Sequence, residues 1–450
     1  MIMMMPSFAH AQCDPIQNAK LFPFDGQSGD RSGDSVSISG DIAVVGAWRD
    51  DENGENSGAA YVWKRVDGEW LEIAKLVASD PAVEARFGWS VSISGNFIII
   101  GAPGVNGASI QGAAHVFLQF IGVWVEIEKF ESNEGAARDF YGYSVSISGD
   151  RFIVGAPGLD DHGVGSGAGY MYELADFEWS QVGRFAPLDG QPFDRFGIGV
   201  SLSDDIAVFG ARGDDDTAED SGSAYIYTQL PGGEWDQRAK LLADDGGVLD
   251  WFGGAVAASG DTVVVGSVFN DAVGLESGSA YVYTSNDNGM NWAFNTKLVP
   301  DDGAAGDNFG YVAINGDTIL AGAIFADTAA GTNSGVTYLY TRVGGSWVQR
   351  SKILPTEANA AFGVSASISD QYTIIGAPGE GLSGMAYIFD LNCPAIAADL
   401  TGDGTLNFFD VSAFLNAFAV SDPIADFTND GQWNFFDVSA FLAAFSAGSP

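Results

Sequence analysis

Histidine occurs three times and cysteine twice in 450 residues, which leaves acid–base and nucleophilic catalysis little footing. His10 sits in the N-terminal segment and His115 in a strand-like run. His162 lies beside Asp160 and Asp161 with no recurring nucleophile near it. Carboxylate pairs are plentiful, so a glycosidase-like pair is not excluded by residue type, but nothing marks one. Basic residues are also scarce, at 19 against 59 acidic, for a net charge of −40 and a pI near 4.1. Nucleic acid and anionic membrane surfaces would repel such a chain. No run is long and apolar enough to span a bilayer. Helical patterning is lacking before residue 399. What is abundant, 60 glycines and 12% aromatics, suits short strands joined by tight turns.

Most of the chain repeats one phrase: FG-x-SVSISGD, then VVGAP, an acidic loop, SGSAYVY, and W-x4-AKL. The glycine of the FG pair recurs at Gly33, Gly88, Gly142, Gly197, Gly253, Gly310 and Gly363, at gaps of 53 to 57 residues. A period near fifty with several strand-like runs per unit predicts a propeller, and seven copies predict seven blades. In the second copy the four strands are expected at Ser90–Ser94, Phe97–Gly101, Ala113–Phe117 and Trp124–Phe130. Val36 and Ile38 alternate with Ser35, Ser37 and Ser39, the period of a strand. Turns such as Ser39-Gly40-Asp41 join the first two strands. The sixth copy is one residue short between Gly310 and Gly316, where a bulge is expected.

The termini predict how the ring closes. The outer-strand phrase follows copies one to six and is missing after copy seven. Ala19-Lys20-Leu21, however, precedes copy one with no strands ahead of it. The N-terminal strand is therefore expected to complete blade seven. Aligned on the repeat, Cys13 falls where Gly68 sits and Cys393 where Asp67 sits, neighbours at a hairpin tip, so a Cys13–Cys393 disulfide is expected. Residues 1–11 resemble the tail of a secretory signal, with Ala9-His10-Ala11 as cleavage site but with no basic n-region ahead of a short apolar stretch. A secreted or cell-surface location follows, with the propeller over 12–392, a linker over 393–398 and a module over 399–450.

FG followed by GAP is the pattern of the FG-GAP repeat proteins, which the chain resembles over residues 17–390. That family includes the propeller of integrin α subunits. GAP is intact at Gly101-Ala102-Pro103, Gly155-Ala156-Pro157 and Gly376-Ala377-Pro378 and loses its proline elsewhere; Ser32 replaces the phenylalanine in copy one. Two loop classes share one face and both are acidic, including Asp50, Asp160, Asp214, Asp80, Asp194 and Asp302. That face is expected to be strongly negative and to offer a site for an unknown ligand. Integrin-like blades bind calcium through a DxDxDG loop that no copy reproduces, so a solvated acidic rim is expected instead. Arg212-Gly213-Asp214 spells the tripeptide integrins recognise, but at a degenerate GAP position.

The sharper site is C-terminal. Asp399–Asp410 (DLTGDGTLNFFD) recurs 27 residues later as Asp426–Asp437 (DFTNDGQWNFFD). Read as twelve-residue calcium loops, the oxygen ligands are Asp399, Thr401, Asp403, Asn407 and Asp410, with Thr405 supplying a backbone carbonyl. The second set is Asp426, Thr428, Asp430, Asn434 and Asp437, with Gln432 in the carbonyl position. Each loop leads into one short helix, with Phe414, Leu415 and Phe418, then Phe441, Leu442 and Phe445, as apolar faces. This loop–helix duplication resembles a dockerin, which implies two Ca²⁺ ions and a cohesin-like or cell-surface partner protein. Threonine is a weaker ligand than the usual Asn or Asp. Phe408, Phe409, Phe435 and Phe436, at positions that in dockerins read the partner, are either core or a docking patch.

The fold class expected is thus all-β, a seven-bladed propeller with a small helical calcium-binding module. The function expected is non-catalytic binding or adhesion, anchored through that module. A dockerin-borne polysaccharide-degrading enzyme and a passive surface-layer protein are the alternatives.

Overall fold

The computed structural model describes residues 15–104, 112–132, 138–230, 232–391, 398, 400–401, 408–428 and 431–447. Gln17–Phe389 form one compact unit, and the C-terminal helices belong to another. The first unit holds seven four-stranded sheets, and in six of them the strands follow chain order. Blade 1 runs through Val36–Ser39, Ile42–Ala47, Ala59–Val66 and Glu69–Leu76. Blade 2 runs through Ser90–Ser94, Phe97–Ala102, Ala113–Phe120 and Val123–Glu131, slightly longer than the sequence predicts. The seventh sheet orders Ile16–Leu21, Met385–Asp390, Tyr372–Ala377 and Ala366–Ile368 side by side. Among the described residues no helix is long and apolar enough to cross a membrane.

The phrase has a physical explanation. Ser39 pairs with Ile42, so Gly40-Asp41 form a two-residue hairpin turn, and Gly40 takes φ +56°. That left-handed turn matches the twist of the flanking strands. A Cβ on the GAP glycine of one blade would meet the FG-glycine carbonyl of the next at 2.0 Å for Gly46 on Gly88. The same contact recurs around the disc and joins blade 7 to blade 1, with Gly376 on Gly33 at 1.9 Å. Only glycine lets backbones approach so closely.

The inner-strand serines are also functional parts of the blade interface. Ser35 Oγ accepts from the Val91 amide at 2.9 Å, and Ser37 Oγ accepts from the Ile93 amide at 3.1 Å. Ser92 does the same for Ile147, Ser146 for Leu202, and Ser367 for Ile38 across the blade 7–blade 1 seam. Inner strands of adjacent blades belong to separate sheets and form no backbone ladder with each other. Their amides would be left unpaired, at about 1–3 kcal/mol each, without these hydroxyls. Hydrophobic clusters fill the rest of the interfaces. One combines Tyr61 and Trp63 of blade 1 with Tyr372, Ile374 and Ile388 of blade 7 and Leu21. Pairing is regular from Tyr311 to Asn315, where the bulge is expected in blade 6; the register shifts just before, between Phe309 and Tyr311, and blade 5 shifts likewise between Phe252 and Ala255.

The smaller unit has helices α1 (Phe408–Ala419) and α2 (Phe435–Ala447). Phe414 and Phe441, each 1% exposed, stack with centroids 4.1 Å apart and planes at 8°. Phe427 packs edge-on against both. Phe418 and Phe445 pack against this core as the sequence predicts, but Leu415 and Leu442 do not. They are 56% and 52% exposed, because one step from Phe414 or Phe441 turns a side chain about 100° around a helix.

Candidate functional site

Three groups of residues stand out. The first is a rim of lysines. The AKL lysine of the outer strand, an arginine in blade 3, reaches into the acidic loops, and in every blade but the second it lies over the tyrosine of the third strand. Lys240 Nζ lies 2.7 Å from Asp189, 2.8 Å from Asp214 and 2.6 Å from Asp216. Its ammonium is 5.3 Å from the Tyr225 ring centre, and the Tyr225 hydroxyl donates to Asp214 at 3.1 Å. Lys75 repeats the arrangement with Asp25, Asp50, Glu52 and Tyr61. Lys297 reaches Asp245, Lys352 reaches Asp302, Lys129 reaches Asp80, Arg184 reaches Asp161 and Lys20 reaches Glu380.

Burial alone would lower the lysine pKa values. The carboxylate hydrogen bonds reverse this and hold Lys75 and Lys240 well above the ordinary ammonium range. Burial likewise drives the Tyr61 and Tyr225 hydroxyls up. The acidic loops of that face are thus ion-paired and still in excess: Lys240 and Lys75 each stand among three carboxylates. Asp214 is buried in one of these clusters, and Gly213 packs on the Phe193 carbonyl. Arg212-Gly213-Asp214 is therefore not displayed as a recognition loop.

The second group surrounds the axis. Residues in or just before the inner strands of all seven blades line a cavity of about 480 Å³. Trp48, Trp89 and Tyr143, from blades 1, 2 and 3, form an aromatic arc with centroid spacings of 5.1 and 5.3 Å. The residue before each FG pair adopts left-handed φ, as in Arg31 (59°), Arg86 (59°), Arg195 (58°) and Trp251 (55°). Such backbone costs bulky residues of order 1 kcal/mol or more, and persists where the surroundings fix it. Arg31 binds Asp34 through Nε and Nη2 at 2.6 and 2.7 Å, and Trp48 Nε1 donates to the same carboxylate. Sequence reasoning missed this group, because its members occupy variable positions beside the repeated glycines. The change from proline to Trp48 or Arg212 after GA was the available signal.

The third group is the C-terminal loop pair. Thr401 donates both its amide (3.0 Å) and hydroxyl (2.7 Å) to Asp410 Oδ1, and Thr428 treats Asp437 identically at 3.0 and 2.8 Å. Asn434 N donates to Asp437 Oδ2 and Gly431 N to Asp426 Oδ2, both at 2.8 Å. Gly431 at φ +75° makes the sharp turn the sequence assigns to loop position 6. The Asn434 amide, then the Thr428 amide and hydroxyl, hold Asp437 below the usual carboxylate range. Threonine therefore braces the last carboxylate of each loop, a role that its weakness as a ligand concealed.

The described donors Asp426, Thr428, Asn434 and Asp437 are hard oxygens of the type calcium takes, while among the described residues no three His, Cys, Asp or Glu side chains come together to hold a metal. Gln432 lies in the same loop. Asp399, Asp403, Thr405, Asn407 and Asp430 lie outside the described residues, as do Cys13 and Cys393 and the proposed signal segment. Phe408, Phe409, Phe435 and Phe436 are 77, 69, 76 and 69% exposed, so the core alternative for them is corrected.

A family model for the FG-GAP repeat matches seven times, at residues 16–63, 70–117, 124–172, 179–227, 235–283, 292–340 and 347–389. The chain belongs to the FG-GAP repeat family. Each match starts at or beside an outer strand and ends within a third strand, so the family unit is offset by one strand from the blade. No curated protein matches this FG-GAP chain. Among solved structures it is similar to Sqt1 of Saccharomyces cerevisiae, at 11% identity, with 86% of this chain and 100% of that chain covered and a TM-score of 0.44.

Proposed function

We propose that this is an exported, non-catalytic binding protein whose FG-GAP propeller is attached to a partner by a calcium-dependent, dockerin-like module. The observation that carries the reading is the pair of matched phenylalanine doublets at the starts of α1 and α2. Four large apolar side chains in a charged, −40 chain stand in solvent while their neighbours Phe414 and Phe441 form the core. Exposed apolar patches of this kind mark protein interaction sites.

In this reading each loop holds one Ca²⁺ through Asp399, Thr401, Asp403, Asn407 and Asp410, or Asp426, Thr428, Asp430, Asn434 and Asp437, with Thr405 and Gln432 offering carbonyls. The ion supplies the cross-link that a module this small needs. The partner is a cohesin-like or cell-surface protein. The N-terminal strand acts as a latch that seals the propeller, and a Cys13–Cys393 disulfide reinforces it outside the cell. Capture of the producer's extracellular proteins on residues 395–450, with calcium and with EGTA, tests the docking role. A specific band retained only with calcium is expected; equal retention in EGTA refutes it. Thiol counting on the secreted, non-reduced protein tests the disulfide.

A further inference from the structure

The repeat supplies its own controls at the lysine clusters. In four blades the third residue after the GA pair, or after Gly266-Ser267 in blade 5, brings an oxygen to the outer-strand lysine. Asp50 meets Lys75 and Asp214 meets Lys240, both at 2.8 Å, while Asn270 meets Lys297 at 2.8 Å and Glu380 meets Lys20 at 3.2 Å. Blade 3 fills the position with the buried Leu159 and replaces the lysine by arginine. Val105 of blade 2 lies outside the described residues. Blade 6 adopts neither solution. It places Ala326 there, and Thr328 where blades 1 and 4 have the further carboxylates Glu52 and Asp216. The Thr328 hydroxyl is engaged with Ser334 Oγ, 2.7 Å away.

Lys352 is left with Asp302 as its one polar partner among the described residues, where Lys75 and Lys240 each have three carboxylates. The ammonium has three hydrogens, so the Asp302 pair does not saturate it. The Lys352 side chain is also 36% exposed, against 15% for Lys240. At this point the blade has a cavity of about 490 Å³ lined by Lys352, Asp302, Ala326 and Tyr338. Phe325 and Leu354, 44% and 49% exposed, form an apolar part of its wall.

We propose that blade 6 binds a monocarboxylate with a short aliphatic tail, the anion on Lys352 and the tail on Phe325 and Leu354. The incoming carboxylate takes the place that the Asp214 side chain has in blade 4, and a charge-assisted hydrogen bond in a partly apolar cavity holds it. Local acidity does not forbid this. Around the same lysine and tyrosine, blade 4 gathers Asp189, Asp194, Asp214, Asp215 and Asp216, whereas blade 6 has Asp302, Asp307 and Asp327. One more carboxylate leaves blade 6 with fewer than blade 4 already holds. A metal ion is disfavoured, because Lys352 occupies the site and no three acidic or histidine side chains gather to hold one among the described residues. The inference deepens the reading of the propeller as a binding body and rests on it; the C-terminal module plays no part.

The test is a ligand-observed NMR titration of the full chain at low salt with pentanoate, pentan-1-ol and pentylamine, and with acetyl-Gly-Leu as free acid and amide. The acids are expected to bind about tenfold or more tightly than the alcohol, the amine and the amide, and to weaken as salt rises. The tighter of the two acids tells a free small acid from a polypeptide terminus as the source. Lys352→Met should cost about tenfold or more. Ala326→Leu copies Leu159 and Ala326→Asp copies Asp214; each should cost as much while keeping the lysine and its Asp302 pair. Ala326→Asp should also raise the melting temperature, which guards against misfolding. Equal or tighter binding of the alcohol or the amine, undiminished binding in either Ala326 variant, or no saturable binding of either acid at about 10 mM would overturn the proposal. Calcium-dependent capture through residues 395–450 should survive Lys352→Met, so failure here is distinguishable from failure of the docking reading.

Discussion

Replacing Lys240 by methionine keeps the stem that packs on Tyr225 and removes the charge. Asp214, whose side chain is 4% exposed, would then face Asp189 and Asp216 with no cation between them. Breaking a buried ion pair typically costs about 3–5 kcal/mol. Asp189 and Asp216 are 48% and 41% exposed, so water screens part of the repulsion and about 2–3 kcal/mol is expected here. For a unit of this size that is a fall in Tm of about 3 °C, read by scanning calorimetry. The vacated cage of three carboxylates should accept a divalent ion. Calcium at ten times its Kd would restore about 1.4 kcal/mol to the variant and nothing to the wild-type propeller. An unchanged Tm in Lys240→Met, or equal calcium stabilisation of both proteins, would refute the claim that lysine occupies a cation site.

Ser37→Ala should destabilise the propeller by about 1–3 kcal/mol in urea unfolding, because it strands the buried Ile93 amide; a change below 0.5 kcal/mol would show that the amide finds another partner. Phe408→Asp with Phe435→Asp should leave stability within about 0.5 kcal/mol, since both side chains stand in solvent, yet abolish calcium-dependent capture. Asp194 is pushed up to about 7 by burial, with Asp214 and Asp215 adding to the effect, against 3.8 for the free group. The folded chain therefore keeps this proton over a range where the unfolded chain has lost it. The stability it contributes is present at low pH and is lost as pH rises from about 4 to 7. Asp194→Asn should accordingly gain in Tm on the wild type between pH 5 and pH 8; a constant difference would contradict this.

The blade plan was legible because its cause is local and repeated. The FG and GAP glycines recur where backbones must touch, and Ser-x-Ser recurs where amides need acceptors. Their spacing alone predicts the seven sheets. The lysine of AKL was visible only as a strand marker, since its partners, such as Asp189 and Asp216 for Lys240, come from separate loops. The axial cavity was hidden for a related reason. Trp89 and Tyr143 hold the variable position after the FG glycine, Trp48 replaces a GAP proline, and the three meet only when the blades assemble. In the C-terminal unit the loop spacing identified the oxygen donors, but not that Thr401 and Thr428 donate hydrogen bonds to Asp410 and Asp437. Leu415 and Leu442 were misassigned because a phenylalanine-rich helix is apolar on more than one side.

The most direct test of the anchoring account is the calcium stoichiometry of the full chain by titration calorimetry. Two ions per chain are expected, falling to none in Asp410→Ala with Asp437→Ala, while the β-sheet circular dichroism of the propeller is unchanged. A wild-type chain that binds no calcium, or a double variant that still binds two, would contradict it.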